Sequence, residues 1–545
     1  MRGFRVTARF FLLSAACAGA VGAQQSSSSD GSKAVQINCA TPLSPSPENS
    51  ERFIEARDAY RSGDFVKAVA LDKAIIADKK DAALAYAGLV SVYLAERRTP
   101  DAYAAADKAG ALASGTVPVN VAVGEAYFRQ GKLGEAERSF LSACRASARA
   151  LLGLSNIYRA TSNYLRSREA IESAYAIDSE DTDVRRAWML TRARDVRLKS
   201  LKEYLSRATD DDAETRSSLQ NELAMMEDVA RRGRPACRLA SRDSSAQTKL
   251  EPIAPDDPRL VTGYGLPITL NGAKARLLLD TGASGILIDK RFADKAGIQP
   301  VASDQIKGIG DRGPAGGYFG YVDAIKIGDL EFKSCYVEVQ ARDYPRMGDE
   351  GLIGADVFED FLVDVNMPDA KLKLTPLPAR PDQKSAEQGL EAGDTDSTFD
   401  HNRYIAPEMA KYSQFFRFGH QILLPTQVNT LPYKLFLVDT GAFDDTISPE
   451  AAREVTKVSG DDSIRVKGLN GEVKKVYSAN ELTLTFAGMR QQRNDTVTFD
   501  LTGISDATSS EVSGILGFGM LRMLDMKIDY RDGLIQFQYD ANRYH

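Results

Sequence analysis

The chain has 545 residues, 43% apolar and 26% charged, which fits several folded domains and excludes bulk disorder. A net charge of −6, with no Lys/Arg-rich run, argues against a nucleic-acid binder. Only three histidines occur, His401, His420 and His545. A histidine triad or histidine-rich metal site has little material to work with.

In chain order, residues 1–23 read as an export signal. Arg2, Arg5 and Arg9 precede an apolar stretch from Phe10 to Ala20, and Val21-Gly22-Ala23 offers small residues for cleavage. The stretch is short for a membrane span, and no later segment is long and apolar enough to be one. A periplasmic or secreted protein is expected. Cys17 leaves a lipid-anchored form as a minor alternative, with Leu13 one place too early for the usual signal. Residues 24–50 are rich in Ser and Pro and read as a flexible leader. Cys39, Cys144, Cys237 and Cys335 remain after the signal. A Cys39–Cys237 bridge across the helical region and four free thiols are both open readings.

Residues 51–205 are Ala-rich with helical periodicity. Gly63-Asp64-Phe65 and Gly131-Lys132-Leu133 lie two periods of about 34 residues apart, with Ala102 halfway between Ala68 and Ala136. Gly124, Tyr127, Gly131, Ala136, Phe140 and Ala143 have the spacing of a tetratricopeptide repeat, which this region resembles over three to four units. The small residues allow close helix packing, and Tyr127 and Phe140 fill the gap to the next unit. The resemblance implies a concave surface for a protein partner, and a helical spacer or dimerisation arm is the other reading. Residues 206–258 read as further helix, broken near Asp210-Asp211-Asp212 and closed by Gly233, followed by a Pro- and Ser-containing linker from Arg234 to Pro258.

Beyond Pro258 short strands and glycine turns take over. A polar linker, 379–400, separates residues 259–378 from 401–545. Each half has an approach strand, Leu266–Leu270 or Gln421–Pro425, and an apolar strand ending in Asp280-Thr281-Gly282-Ala283 or Asp439-Thr440-Gly441-Ala442. Each then has a short helix, Lys290–Ala296 or Pro449–Val455, the second with Ser448 as N-cap. A glycine-punctuated hairpin follows: Lys307-Gly308-Ile309-Gly310 through Gly316-Gly317-Tyr318, or Lys467-Gly468-Leu469-Asn470-Gly471, where Asn-Gly suits a tight turn. Each half closes on an apolar-Gly strand, Gly351-Leu352-Ile353-Gly354 or Gly514-Ile515-Leu516-Gly517. The matching order points to an internal duplication. A carboxylate at the mouth of a buried strand is costly unless something uses it or pairs with it.

At these residues the sequence resembles the retropepsin-like aspartic peptidases in their bacterial exported form, over about 258–378 and 401–545. The implied architecture is an all-α solenoid followed by two all-β acid-protease lobes. The resemblance implies an Asp280/Asp439 dyad sharing one proton and activating water toward a peptide or protein substrate, with neither a metal nor a cofactor needed. By the same resemblance, Thr281 and Thr440 cross-link the turns, and Gly282 and Gly441 keep the carboxyls accessible to each other. Gly308, Gly310, Gly468 and Gly471 belong to substrate-covering flaps. Asp356 reads as structural, since Gly519 takes its place in the second half. Ala283 and Ala442 stand where pepsin-like enzymes carry Ser or Thr, which predicts a less acidic working range. Phe443, opposite Ser284 in the first half, reads as core. A catalytically weak peptide-binding or scaffold protein on the same fold is the alternative.

Overall fold

A computed structural model describes Ile37, Cys39 and residues 51–543, except 80, 114, 208–210, 234–236, 255–259, 341–349, 382–399 and 462. The export signal, Cys17, His545, most of the leader and most of the 379–400 linker lie outside the described residues.

Residues 51–232 form helices in succession. Glu51–Arg61 pairs with Phe65–Ala77, Ala82–Ala95 with Thr99–Leu112, Val117–Arg129 with Leu133–Leu141, and Ala148–Ala160 with Tyr164–Ile177. Side-chain caps start several of them: Asp64 accepts from Lys67 N at 3.0 Å and Ser147 from Ala150 N at 3.2 Å. Phe140, 1% exposed, is wedged between Gly124 of its own hairpin and Gly153 of the next. A Cβ on either glycine would fall 2.6 Å or less from its ring, so small residues do set the helix spacing. The expected break near Asp212 is present, because Asp212 caps Ala213–Arg232. A second break, between Thr182–Leu190 and Arg194–Ser206, was not expected.

Within the stretch expected to be a linker, 234–258, the described residues 237–254 are instead woven into the β region. Arg238–Leu239 pairs with Leu330–Gln340, Ala246–Lys249 with Lys371–Pro376, and Glu251–Ile253 with Gly263–Leu270. Proline is tolerated in such short peripheral strands, and this hid them in the sequence. The cysteines also differ from the Cys39–Cys237 and free-thiol readings. Cys39 bonds Cys144, and Cys237 bonds Cys335. Each closes a loop of 105 or 98 residues, a span for which chain entropy gives about 4–5 kcal/mol. Cys237→Ala is therefore expected to lower the denaturant midpoint, with a loss of about 2–4 kcal/mol in chemical unfolding.

The two β halves share one plan. Ala273–Asp280 runs parallel to Gly351–Gly354, with Asp280 opposite Gly354. Lys434–Asp439 runs parallel to Gly514–Gly517, with Asp439 opposite Gly517. Both central strands have hydrogen-bonded neighbours on each side, and Leu277–Leu279 and Leu435–Val438 are buried. This is why they read as unbroken apolar runs rather than alternating ones. The short helices are Lys290–Lys295, capped by Asp289, and Pro449–Arg453, capped by Ser448. A third sheet joins the halves, with Phe361–Asn366 antiparallel to Leu524–Asp529. One main core spans both halves, so the two Asp-Thr-Gly turns belong to a single packed body.

The helical region rests on both halves. Its hairpin turns meet the second: Arg129 pairs with Asp506 at 2.5 Å, and Leu165 N donates to His401 O at 2.8 Å. Helix Ala213–Arg232 lies on the first. There Tyr336 Oη donates to Asp228 at 2.9 Å, and Arg232 stands 3.5 Å over the Tyr321 ring.

Candidate active site

Thr281 and Thr440 bind reciprocally across the two halves. Thr281 N donates to Thr440 Oγ1 at 3.0 Å, and Thr440 N to Thr281 Oγ1 at 3.0 Å. Each hydroxyl then donates to a carbonyl of the opposite strand, Thr281 to Val438 O at 2.8 Å and Thr440 to Leu279 O at 2.7 Å. Both threonines are buried. Removing one hydroxyl leaves a buried N–H and a buried C=O without partners, each costing about 1–3 kcal/mol. Thr281→Ala is expected to lower stability by about 3 kcal/mol in chemical denaturation, and Thr281→Ser to lower it much less.

This link sets Asp280 and Asp439 side by side, 8% and 7% exposed. A Cβ on Gly441 would stand 2.3 Å from Asp280 Oδ2, and one on Gly282 would stand 2.6 Å from Asp439 Cγ. Only glycine fits between the carboxyls at these two places. Gly282 N donates to Asp280 Oδ1 at 2.9 Å; Gly441 N and Ala442 N donate to Asp439 Oδ1 at 2.8 and 3.0 Å. The residues that follow, Ala283 and Ala442, carry no hydroxyl to join them, and Ser284 Oγ donates to Asp356. Burial raises the Asp280 carboxyl well above its usual range, and the Asp439 charge and a hydrogen bond to Asp439 raise it further. Burial also raises Asp439, opposed by its hydrogen bond with Asp280 and by the backbone N–H groups. The two titrate as one unit.

The four predicted flap glycines lie where the two hairpins meet each other. The first hairpin has strands Gln299–Ile306 and Ala315–Ile327, so Gly316, Gly317 and Tyr318 lie in the strand and not at the tip. In the second, Gly468 pairs with Gly471, which puts Leu469 and Asn470 at the tip, one residue before the expected Asn-Gly turn. The reason is tertiary. Asn470 N donates to Ile309 O at 2.8 Å, and Arg312 N donates to Asn470 O at 2.9 Å. Gly308 faces Leu469 and Gly468 faces Ile309. Gly310 has φ +133 and passes so close to Asn470 that a Cβ would lie 2.4 Å from its carbonyl carbon. Each tip packs a half-buried apolar side chain against a cluster of the opposite half: Leu469 against that of Leu278, Leu287 and Leu352, and Ile309 against that of Leu437, Phe499 and Ile515.

Asp356 holds the first turn by accepting from Ser284 Oγ at 2.9 Å and Gly285 N at 3.0 Å. In the second half a different carboxyl braces the turn. Asp445 accepts from Gly517 N at 2.8 Å and lies 3.1 Å from Arg493. The sequence reading missed Asp445 because the brace moved from one side of the turn to the other. It also missed His420, whose Nε2 lies 3.2 Å from Gly282 O. Phe443 packs against the main core.

Residues 266–357 match the family model described as aspartyl protease. Among solved structures, the aspartic proteinase from Irpex lacteus aligns with 12% identity and a TM-score of 0.34, covering 55% of this chain and 98% of that one. No curated protein matches the chain. The stretch holding the first Asp-Thr-Gly turn, its hairpin and its Gly-Leu-Ile-Gly strand is thus similar to the aspartyl proteases as a family.

Proposed function

We propose that the protein is an aspartic-type endopeptidase whose catalytic residues are Asp280 and Asp439. The observation that carries this reading is the reciprocal Thr281–Thr440 link, which holds the two buried carboxyls against each other. The pair shares one proton. The ionised oxygen takes a proton from a bound water, and the resulting nucleophile attacks the peptide carbonyl carbon. The protonated oxygen donates to the carbonyl oxygen, giving a tetrahedral diol. Return of a proton to the amide nitrogen breaks the C–N bond and releases an amine and a carboxylic acid. Thr281, Gly282, Thr440 and Gly441 support the turns. Gly308, Gly310, Gly468 and Gly471 let two thin flap tips cover an extended peptide and part again.

The helical repeats, proposed as 51–205, serve as a docking face for a protein partner or substrate. The β region divides into lobes at 259–378 and 401–545, to which the short strands of 238–253 also belong. The two disulfides support an oxidising, exported setting. Among the described residues no helix is long and apolar enough to cross a membrane.

Cleavage of a mixed peptide library by the wild type and by Asp280→Asn, read by mass spectrometry, tests the reading. New termini with wild type only support it. Peptide binding without cleavage at any pH from acid to neutral favours the binding-module alternative. The raised carboxyls also fix the direction of the pH dependence. The singly protonated pair persists to higher pH than a pair of ordinary aspartates, so the kcat/KM maximum is expected at higher pH than such a pair would give. A maximum in strong acid contradicts this.

A further inference from the structure

We propose that His420 is a positioning residue of the Asp280/Asp439 pair, acting across the two lobes by holding the Gly282 carbonyl. The proposal rests on the peptidase reading above.

His420 follows Gly419 in the turn between strands Phe416–Phe418 and Gln421–Val428 of the second lobe. Its Nε2 nevertheless lies 3.2 Å from Gly282 O in the first lobe. A carbonyl only accepts, so Nε2 carries the hydrogen and Nδ1 is the free position. Gly282 is the residue that packs against the Asp439 carboxyl, where a Cβ would stand 2.6 Å from Cγ. The imidazole therefore pins the peptide that sets the spacing between the two carboxyls.

The contact is made on one side only. In the strand registers, Gly265 pairs with Leu278 and Leu423 with Leu437, each two residues before its Asp. This places Thr262 where His420 stands. Thr262 turns back into its own lobe, with N and Oγ1 both donating to Ile253 O at 2.8 and 3.3 Å. His420 thus supplies a cross-lobe donor that the duplicated plan lacks on the other side.

Its surroundings make that donor responsive to charge. Asp356 and Asp439 act on the ring as anions and Arg417 as a cation, while burial is the largest influence and favours the neutral form. Asp356 is itself fixed to the same turn through Ser284 and Gly285. The imidazole, the brace and the pair form one cluster around a single peptide unit.

Peptide turnover in His420→Ala and His420→Gln tests the assignment. Loss of the donor is expected to lower kcat roughly tenfold in His420→Ala, with KM within about twofold. His420→Gln, which retains an N–H donor, is expected to keep kcat within about threefold of wild type. It also loses any inflection in the pH profile due to the ring. Wild-type kcat in His420→Ala overturns the proposal, as does equal loss in both variants. A second arm needs no turnover. The NMR titration of the His420 ring, assigned by its absence in His420→Gln, is followed in wild type and in Asp356→Asn, since Asp356 is the larger anionic influence on the ring and lies outside the proton-sharing pair. Removing the anion is expected to move the ring's titration to lower pH, and an unmoved midpoint overturns the proposal. Absence of cleavage by wild type counts against the peptidase reading, and the ring titration then decides on His420 alone.

Discussion

Asp280→Asn is expected to lower kcat at least about 10³-fold, with Asp439→Asn equally damaging. The double variant is expected to be no worse than either single one, because a pair that shares a proton fails as a unit. The same substitution is expected to raise stability. Burial and the neighbouring charge lift the Asp280 carboxyl above 3.8. For a group raised in this way, the folded state is favoured below the unfolded value and loses that advantage as pH climbs through the folded one. Asn cannot ionise and escapes the loss. Thermal melting should therefore show Asp280→Asn above wild type at neutral pH, with the gap closing below 3.8. Lower activity with higher stability distinguishes a functional carboxyl from a structural one. A binding module gains nothing from retaining the cost.

Removing residues 51–205 is expected to abolish soluble, active protein and not merely partner binding. The sequence reads this region as a docking surface or a spacer, and either would be separable. In the structure Phe416 and Phe418 of the second lobe pack against the helical core. Arg129 and Asp506, 13% and 16% exposed, form an ion pair at the junction, and Arg129 also donates to Ser505 O at 2.5 Å. Ser510 Oγ donates to Phe128 O at 3.1 Å. Deletion strips an apolar face and leaves a half-buried carboxylate without its partner. Arg129→Ala isolates the polar part. It should cost about 2–3 kcal/mol in chemical unfolding, while leaving cleavage by the remaining folded protein near wild type. Full activity in a stable 51–205 deletion would show that the lobes are self-sufficient.

The two Asp-Thr-Gly turns were legible in the sequence because their pattern is local. Asp-Thr-Gly after an apolar strand, then a glycine hairpin, then an apolar-Gly strand is a contiguous pattern, and its repetition gave the two-lobe plan. The glycines at 308, 310, 468 and 471 were legible for the same reason, since close backbone approach demands them. What stayed hidden depends on pairings distant in sequence. His420 looks like an ordinary turn residue until the other lobe's Gly282 comes within reach. Asp445 does the bracing that Asp356 does in the first lobe, but from the opposite side of the turn, so aligning the halves pointed to Gly519 instead. The hairpin tip shifted to Leu469 and Asn470 because the opposite flap claims the Asn470 backbone. Cysteine spacing carried no pairing information, and the strands of 238–253 were too short and too rich in polar residues to show a period.

The most direct test compares initial peptide-cleavage rates of wild type, Asp280→Asn, Asp439→Asn and an equimolar mixture of the two variants. A site built within one chain predicts that wild type alone cleaves, with a rate per molecule independent of protein concentration. The mixture then stays as inactive as its components. Recovery of activity on mixing would place the two carboxyls on different chains, and unchanged cleavage by either variant would remove the pair from the chemistry.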